Sequence, residues 1–100
     1  MGGRKIIWSR RAEKELLHIL DFYIERNGNA KYSTKLLEEV EKIVNLVLAQ
    51  SQLGHLTENK TTQVIVKDKF LIFYEVSIDY IEVVSFWDGR QNPKNRIDKP

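Results

Sequence analysis

The stretch from 63 to 93, QVIVKDKFLIFYEVSIDYIEVVSFWDGRQNP, constrains the fold more than any other part of the chain. Val, Ile, Phe, Tyr and Trp dominate it, and the breaks at Asp68-Lys69 and Ile78-Asp79 divide it into three short strands of a meander. With each break a two-residue loop, Val66 stands opposite Leu71, Glu75 opposite Glu82 and Val76 opposite Ile81. The strand period then sorts the side chains. One face carries Ile65, Phe70, Ile72, Tyr74, Val76, Ile81, Val83 and Trp87; the other carries Val64, Val66, Leu71, Phe73, Val84 and Phe86 with Glu75 and Glu82. Both faces are apolar, whereas a sheet with helices on one side normally turns polar residues to the other. A partner's segment is therefore the expected cover for the second face. Two alternatives keep that cover within the chain: helices that wrap further round the sheet, or a strand slipped by one residue, which exchanges its faces.

Upstream, Lys5 to Trp8 (KIIW) reads as a short strand that needs the meander as a neighbour. Ser9 is placed to cap a helix. Ala12, Leu16, Leu20, Tyr23 and Ile24 recur at spacings of three and four, with Glu13, Lys14, Asp21, Glu25 and Arg26 mostly off the stripe. Asn27-Gly28-Asn29 stops this helix and restarts a second, with Gly28 in the left-handed conformation and Asn29 as the next cap. Tyr32, Leu36, Leu37, Val40, Ile43, Val44, Val47 and Leu48 give the second helix its apolar face, ending near Gln50. Ser51-Gln52-Leu53-Gly54 breaks the pattern, and Thr57 to Thr62 reads as a loop. The order β-α-α-β-β-β implies an α+β two-layer fold, a helical hairpin packed on an antiparallel sheet.

One hundred residues make a single domain, 1–100, with 1–4 and 94–100 expected as flexible ends. The chain has no cysteine, which excludes disulfides, thiolate metal sites and a cysteine nucleophile. No run reaches the length of a membrane span and no signal-peptide core opens the chain, so a cytoplasmic protein without membrane contact is expected. The start Met1-Gly2-Gly3 lacks the Ser or Thr that myristoylation needs at position 6, where Ile6 stands. A net charge of +2 is too small to mark a nucleic-acid binder. Its distribution says more, because Arg4, Lys5, Arg10, Arg11 and Lys14 gather near one end and Arg90, Lys94, Arg96 and Lys99 near the other. Ends that meet would form a basic patch; ends that do not leave a solvated charged surface.

No metal-ligand spacing joins His18 and His55, and no GxGxxG, P-loop or GxSxG occurs, so neither cofactor nor metal is expected. Glu75 and Glu82 form a cross-strand carboxylate pair, read more readily as relieved by a cation than as an acid/base site. Trp87-Asp88-Gly89-Arg90 is the most pointed local feature. It reads either as a guanidinium beside an exposed aromatic, suited to a carboxylate, a phosphate or a protein hot spot, or as a core Trp87 with Arg90 paired to Asp88.

Three segments together, IIWSRRAEKELLHILDFYIE, LAQSQLG and FLIFYEVSIDYIEVVSFWDGRQNP, give the chain a resemblance to the RelE/ParE superfamily of toxins from bacterial type II toxin-antitoxin systems, over residues 5–93. Ser51 stands where the family commonly has proline. The resemblance implies a growth-inhibiting toxin of the plasmid-stabilisation type, neutralised by a cognate antitoxin and found as a homodimer or toxin-antitoxin hetero-oligomer. In the RelE branch it implies ribosome-dependent cleavage of messenger RNA by basic residues on the open sheet face plus an arginine and a tyrosine near the C-terminus. Here the strand arginine falls on Leu71 and the strand lysines near Val64 and Val66, and only Arg90 keeps a match. Leucine and valine can neither stabilise charge on phosphorus nor move a proton. The chain thus resembles more the ParE branch, whose members bind DNA gyrase. Expected antitoxin or target contacts are Val64, Val66, Leu71, Phe73, Val84, Phe86, Trp87 and Arg90. The alternative is a RelE-type endoribonuclease acting on the ribosome and its messenger RNA, with Arg90 aided by Lys60, Lys67 or Lys69.

Overall fold

Ser9 ends the first strand and starts the first helix. Its hydroxyl accepts the Ala12 amide at 3.0 Å and donates to the Val84 carbonyl at 3.2 Å, so β1 (Lys5–Trp8) passes into α1 (Arg10–Asn27) while held to the sheet. The computed structural model describes residues 4–99; the expectations for Met1-Gly2-Gly3 and for Pro100 lie outside the described residues. Gly28 closes α1 with φ 72°, its N–H donating to the Ile24 carbonyl at 2.9 Å. The second helix, α2 (Lys31–Ala49), is capped at Ala30 and not at Asn29 as the sequence suggests. Asn29 still serves the start, its side-chain oxygen accepting the Lys31 amide at 3.0 Å.

The strands that follow are β2 (His55–Leu56), β3 (Gln63–Lys67), β4 (Phe70–Val76) and β5 (Tyr80–Asp88), in the spatial order β1-β5-β4-β3-β2. The α+β class and the β-α-α-β-β-β order hold. The sheet itself is mixed: β2 to β5 run antiparallel, but β1 pairs with β5 in parallel, Lys5 opposite Tyr80 through Trp8 opposite Val83. The two-residue β2 is an addition at the other edge.

The expected register holds at Val66–Leu71, Glu75–Glu82 and Val76–Ile81. It then slips. Phe73 faces Ser85 while Tyr74 faces Val83, so Val84 is an extra residue in β5, a β-bulge. The bulge reverses the alternation beyond it and corrects two assignments. Phe86 faces the helices and stacks on Phe70, ring centroids 5.3 Å apart, instead of lying on the outer face; Trp87 lies outside with Phe73 and Val84 instead of in the helix-facing core.

The inner face meets the helical hairpin in two adjoining clusters. Ala12, Leu16, Ile19 and Tyr23 from α1 and Leu36, Val40 and Val44 from α2 close over Phe70, Ile72, Val83 and Phe86, and Val47 continues the contact over Tyr74 and Ile81. The LAQSQLG junction is fixed by close approach. The Tyr74 hydroxyl accepts the Gly54 amide at 2.8 Å and sits 3.0 Å from the Ser51 carbonyl oxygen, and a Cβ on Gly54 would lie 2.7 Å from that hydroxyl and 2.8 Å from the Val64 carbonyl. Only glycine fits there.

The outer face is apolar, as the sequence requires, but its cover comes from the chain. After a 3-10 turn at Pro93–Asn95, Ile97 packs against Phe73, Val84 and Trp87, and the Arg96 guanidinium stands 5.3 Å from the centroid of the Phe73 ring. Asp98 is buried and pairs with Arg96 at 2.9 Å. Residues 96–99 thus lie against the sheet, while Lys94 and Asn95 stay exposed, in a stretch whose composition suggests a frayed end. Ile97 does not hold the segment alone: its cover of the cluster acts together with the Arg96–Asp98 pair and the Arg11 bond to the Asn95 carbonyl. Phe73 is 0% exposed beneath it, whereas Val66, further out on β3, is 64% exposed. Among the described residues no helix is long and apolar enough to cross a membrane.

Candidate functional site

The expected contact residues fall into three groups. Phe73, Val84 and Trp87 are buried under the C-terminal segment, with Val64 and Leu71 half-buried beside them. Phe86 belongs to the inner core. Val66 and Arg90 stand at the surface, at separate places on the sheet.

Arg90 belongs to a polar cluster where the β3–β4 turn and the end of β5 meet α1. Its guanidinium grips Asp88 through Nε at 3.0 Å and Nη2 at 2.7 Å, and Nη2 also donates to the Tyr23 hydroxyl at 3.0 Å. Of the two sequence readings of Trp87 and Arg90, the paired one is observed. Lys69 enters from the turn, its ammonium 4.7 Å from the Tyr23 ring centroid and 5.7 Å from that of Tyr32. Burial pushes the Tyr23 phenol up, but hydrogen bonding to Lys69 and Arg90 outweighs it and holds the phenol below its ordinary value. The Arg90 hydrogen bonds hold Asp88 below the usual carboxylate range against the opposing effect of burial. Hydrogen bonding to Tyr23 raises Lys69.

This cluster faces the helices, not the open sheet face. Lys67 points elsewhere, pairing with Asp68 at 3.3 Å and Glu39 at 3.6 Å, and Lys60 sits in the β2–β3 loop with φ 64°. The four basic residues of the alternative reading therefore do not converge; Lys69 and Arg90 alone share a neighbour. Glu75 is relieved by the Thr62 hydroxyl, which donates to it at 3.0 Å. No group of three or more His, Asp or Glu suitable for a metal occurs among the described residues.

A second feature, absent from the sequence reading, is Glu15. Beyond Trp8, β5 has no strand on its β1 side, and α1 supplies the missing acceptor. The Ser85 hydroxyl donates to Glu15 Oε1 at 2.7 Å, the Phe86 amide donates to the same atom at 3.0 Å, and Arg11 holds the other oxygen at 3.2 Å. Between α1 and this edge runs an open cleft of about 590 Å³ lined by Arg11, Lys14, Glu15, His18, Ile19, Phe86, Trp87, Gln91 and Asn95. A neighbouring hollow of about 480 Å³ shares His18, Ile19 and Gln91 with it and continues past Phe22 and Tyr23 to Arg90. Arg11 also donates to the Asn95 carbonyl at 3.0 Å, tying α1 to the C-terminal segment.

The geometry defines a class: a small α+β protein, a helical hairpin on a five-stranded sheet, with one polar cluster at the sheet end and one groove along a strand edge. The family model described as ParE toxin of type II toxin-antitoxin system, parDE, matches residues 6–93, and the chain belongs to that family. A chain of the solved chromosomal ParDE toxin-antitoxin system from P. aeruginosa shares the fold, with a TM-score of 0.71 and 18% identity over 83% of this chain and 92% of that one. No curated protein sequence matches the chain.

Proposed function

We propose that this ParE-family toxin arrests growth by binding a cellular protein, DNA gyrase first among candidates, and that a cognate antitoxin neutralises it in the cytoplasm. The observation that carries this reading is the family match across residues 6–93. The chemistry of the outer face supports a binding role over a hydrolytic one: Val64, Val66, Leu71, Phe73 and Val84 offer neither a cation for a phosphate nor a group to move a proton. In this reading Val64, Val66 and Leu71 at the rim of the covered face, and the Arg90 region at the sheet end, are contact surfaces. Phe73, Val84 and Trp87 join them only where a partner displaces residues 94–99. A role in plasmid stabilisation and assembly as a hetero-oligomer with the antitoxin, or as a homodimer, follow from the same proposal.

A single observation favours the endoribonuclease alternative. Tyr23, held below its ordinary pKa beside Lys69 and Arg90, joins an ionisable hydroxyl to two cations. A supercoiling assay with purified gyrase and a ribosome-bound messenger RNA cleavage assay separate the two. Inhibition of supercoiling is expected, and codon-aligned cuts with unimpaired gyrase would overturn the proposal in favour of the enzyme.

A further inference from the structure

The basic residues of the two chain ends meet in space. Arg11, in the first turn of α1, donates to the Asn95 carbonyl at 3.0 Å, which brings Arg10, Arg11 and Lys14 to the 3-10 turn that carries Lys94. Three of these cations have no counter-charge: Arg10, Lys14 and Lys94 pair with no carboxylate among the described residues. Arg11 and Arg90 are paired, with Glu15 and Asp88, yet the Nη1 of each makes no hydrogen bond among the described residues. Arg10 opens α1, where the helix dipole disfavours a cation, so its charge does not serve the helix.

This patch lines a groove. The open cleft of about 590 Å³ has Arg11, Lys14 and His18 on its α1 side, and the hollow that continues it adds Phe22 and Arg90. Phe22 is 48% exposed and is held edge-on against Tyr23, ring centroids 5.0 Å apart. An open aromatic ring on a cationic track is a stacking platform for an unpaired base. Asp21 and Glu25 line the next hollow along α1 and repel phosphates there, so the track stops at Phe22. From Arg11 to Phe22 the helix rises roughly 16 Å, the length of about five stacked nucleotides.

We infer that this groove holds a single strand of DNA, its phosphates at Arg10, Lys14 and Lys94 and one base stacked on Phe22. A duplex keeps its base faces stacked inside and leaves the ring unused; an acidic peptide answers the cations but brings no flat base. The choice of DNA rests on the proposed target, an enzyme that acts on DNA, since the groove chemistry serves either nucleic acid. In that role the toxin touches both the target protein and the strand that the target handles.

The test is fluorescence anisotropy of a labelled thymidine dodecanucleotide with the full chain over a salt series. Saturable binding is expected, weakening with salt at a log-log slope of about −2, the value for about three phosphates of a single strand. Lys14→Glu is expected to weaken binding about tenfold and to flatten the slope by about 0.7, while Lys42→Glu, the same charge change on α2, alters it less than about twofold. Phe22→Leu is expected to weaken binding about fivefold with the slope unchanged, because stacking releases no counterions. Equal effects of Lys14→Glu and Lys42→Glu, or no effect of Phe22→Leu, would overturn the inference. So would the absence of saturable binding at low salt, or tighter binding of the duplex, of the uridine dodecanucleotide or of a hexaglutamate peptide. A chain that binds the strand but spares gyrase would sink the gyrase reading alone; one that inhibits supercoiling but binds no strand would sink this inference alone.

Discussion

The two faces of the sheet are both apolar, yet they are closed by very different means. The inner face lies under α1 and α2, whose buried side chains interlock with Phe70, Ile72, Tyr74, Val83 and Phe86. The outer face lies under a few residues after the 3-10 turn, with Ile97 as the apolar contact and Arg96 over Phe73. Burial alone does not distinguish them, since Phe70 and Phe73 are equally inaccessible. What differs is how much chain must move to uncover each. Two helices unfold only with the whole domain, whereas a short terminal segment can open locally.

That contrast can be broken by mutation, starting with the largest effect. Phe70→Ala, in the inner core, is expected to cost about 3–5 kcal/mol in denaturant unfolding, because the void lies between layers that cannot collapse. A loss no greater than that of an outer-face substitution would show that the helical cover is not the stronger one. Gly54→Ala, where a Cβ would press on the Tyr74 hydroxyl and the Val64 carbonyl, should cost about 1–3 kcal/mol by the same measurement. Ile97→Ala on the outer cover should cost about 1–2 kcal/mol and, unlike the first two, should increase binding of a hydrophobic dye with circular dichroism unchanged. Dye binding that stays flat would mean the segment is not what closes the face.

The smallest effect is electrostatic. Arg90 depresses the Asp88 pKa, so the pair's contribution to stability is complete above the ordinary carboxylate range and is lost as pH falls through the lower folded value. Arg90→Ala is expected to return Asp88 toward its ordinary value, read by carboxyl NMR titration, and to shift acid unfolding to slightly higher pH. An unmoved Asp88 would remove Arg90 as the cause.

Much of the fold was legible because its signals are local. Ser9 and Gly28 bracket the first helix by their own chemistry, and the breaks at 68–69 and 78–79 set three pairings of the register. The bulge at Val84 was not legible. It lies within the strand sequence IEVVSFW, with no glycine to mark it, and it exchanges Phe86 and Trp87 between faces. The contact of Ile97 with the outer face leaves no sequence signal for a related reason, since one apolar residue among polar neighbours carries no periodicity.

At the site, Arg90 was singled out, and its pairing with Asp88 was one of two readings. Its neighbours Tyr23 and Lys69 come from elements with no local link to it, separated from it by 67 and 21 positions. Glu15 shows in the sequence only as a partner for Arg11 four residues away; its bond to Ser85 spans 70. Contacts of that range leave no mark in spacing.

Strand β1 is made first and completed last. Its neighbour in the sheet is β5, which follows it by about 75 positions, so during synthesis the parallel pairing waits until β5 has also left the ribosome. At about 5–20 residues per second that is a delay of several seconds, in which the helical hairpin exists without its floor. For that interval the newborn chain carries the apolar undersides of α1 and α2 uncovered, since the strands that bury them come last.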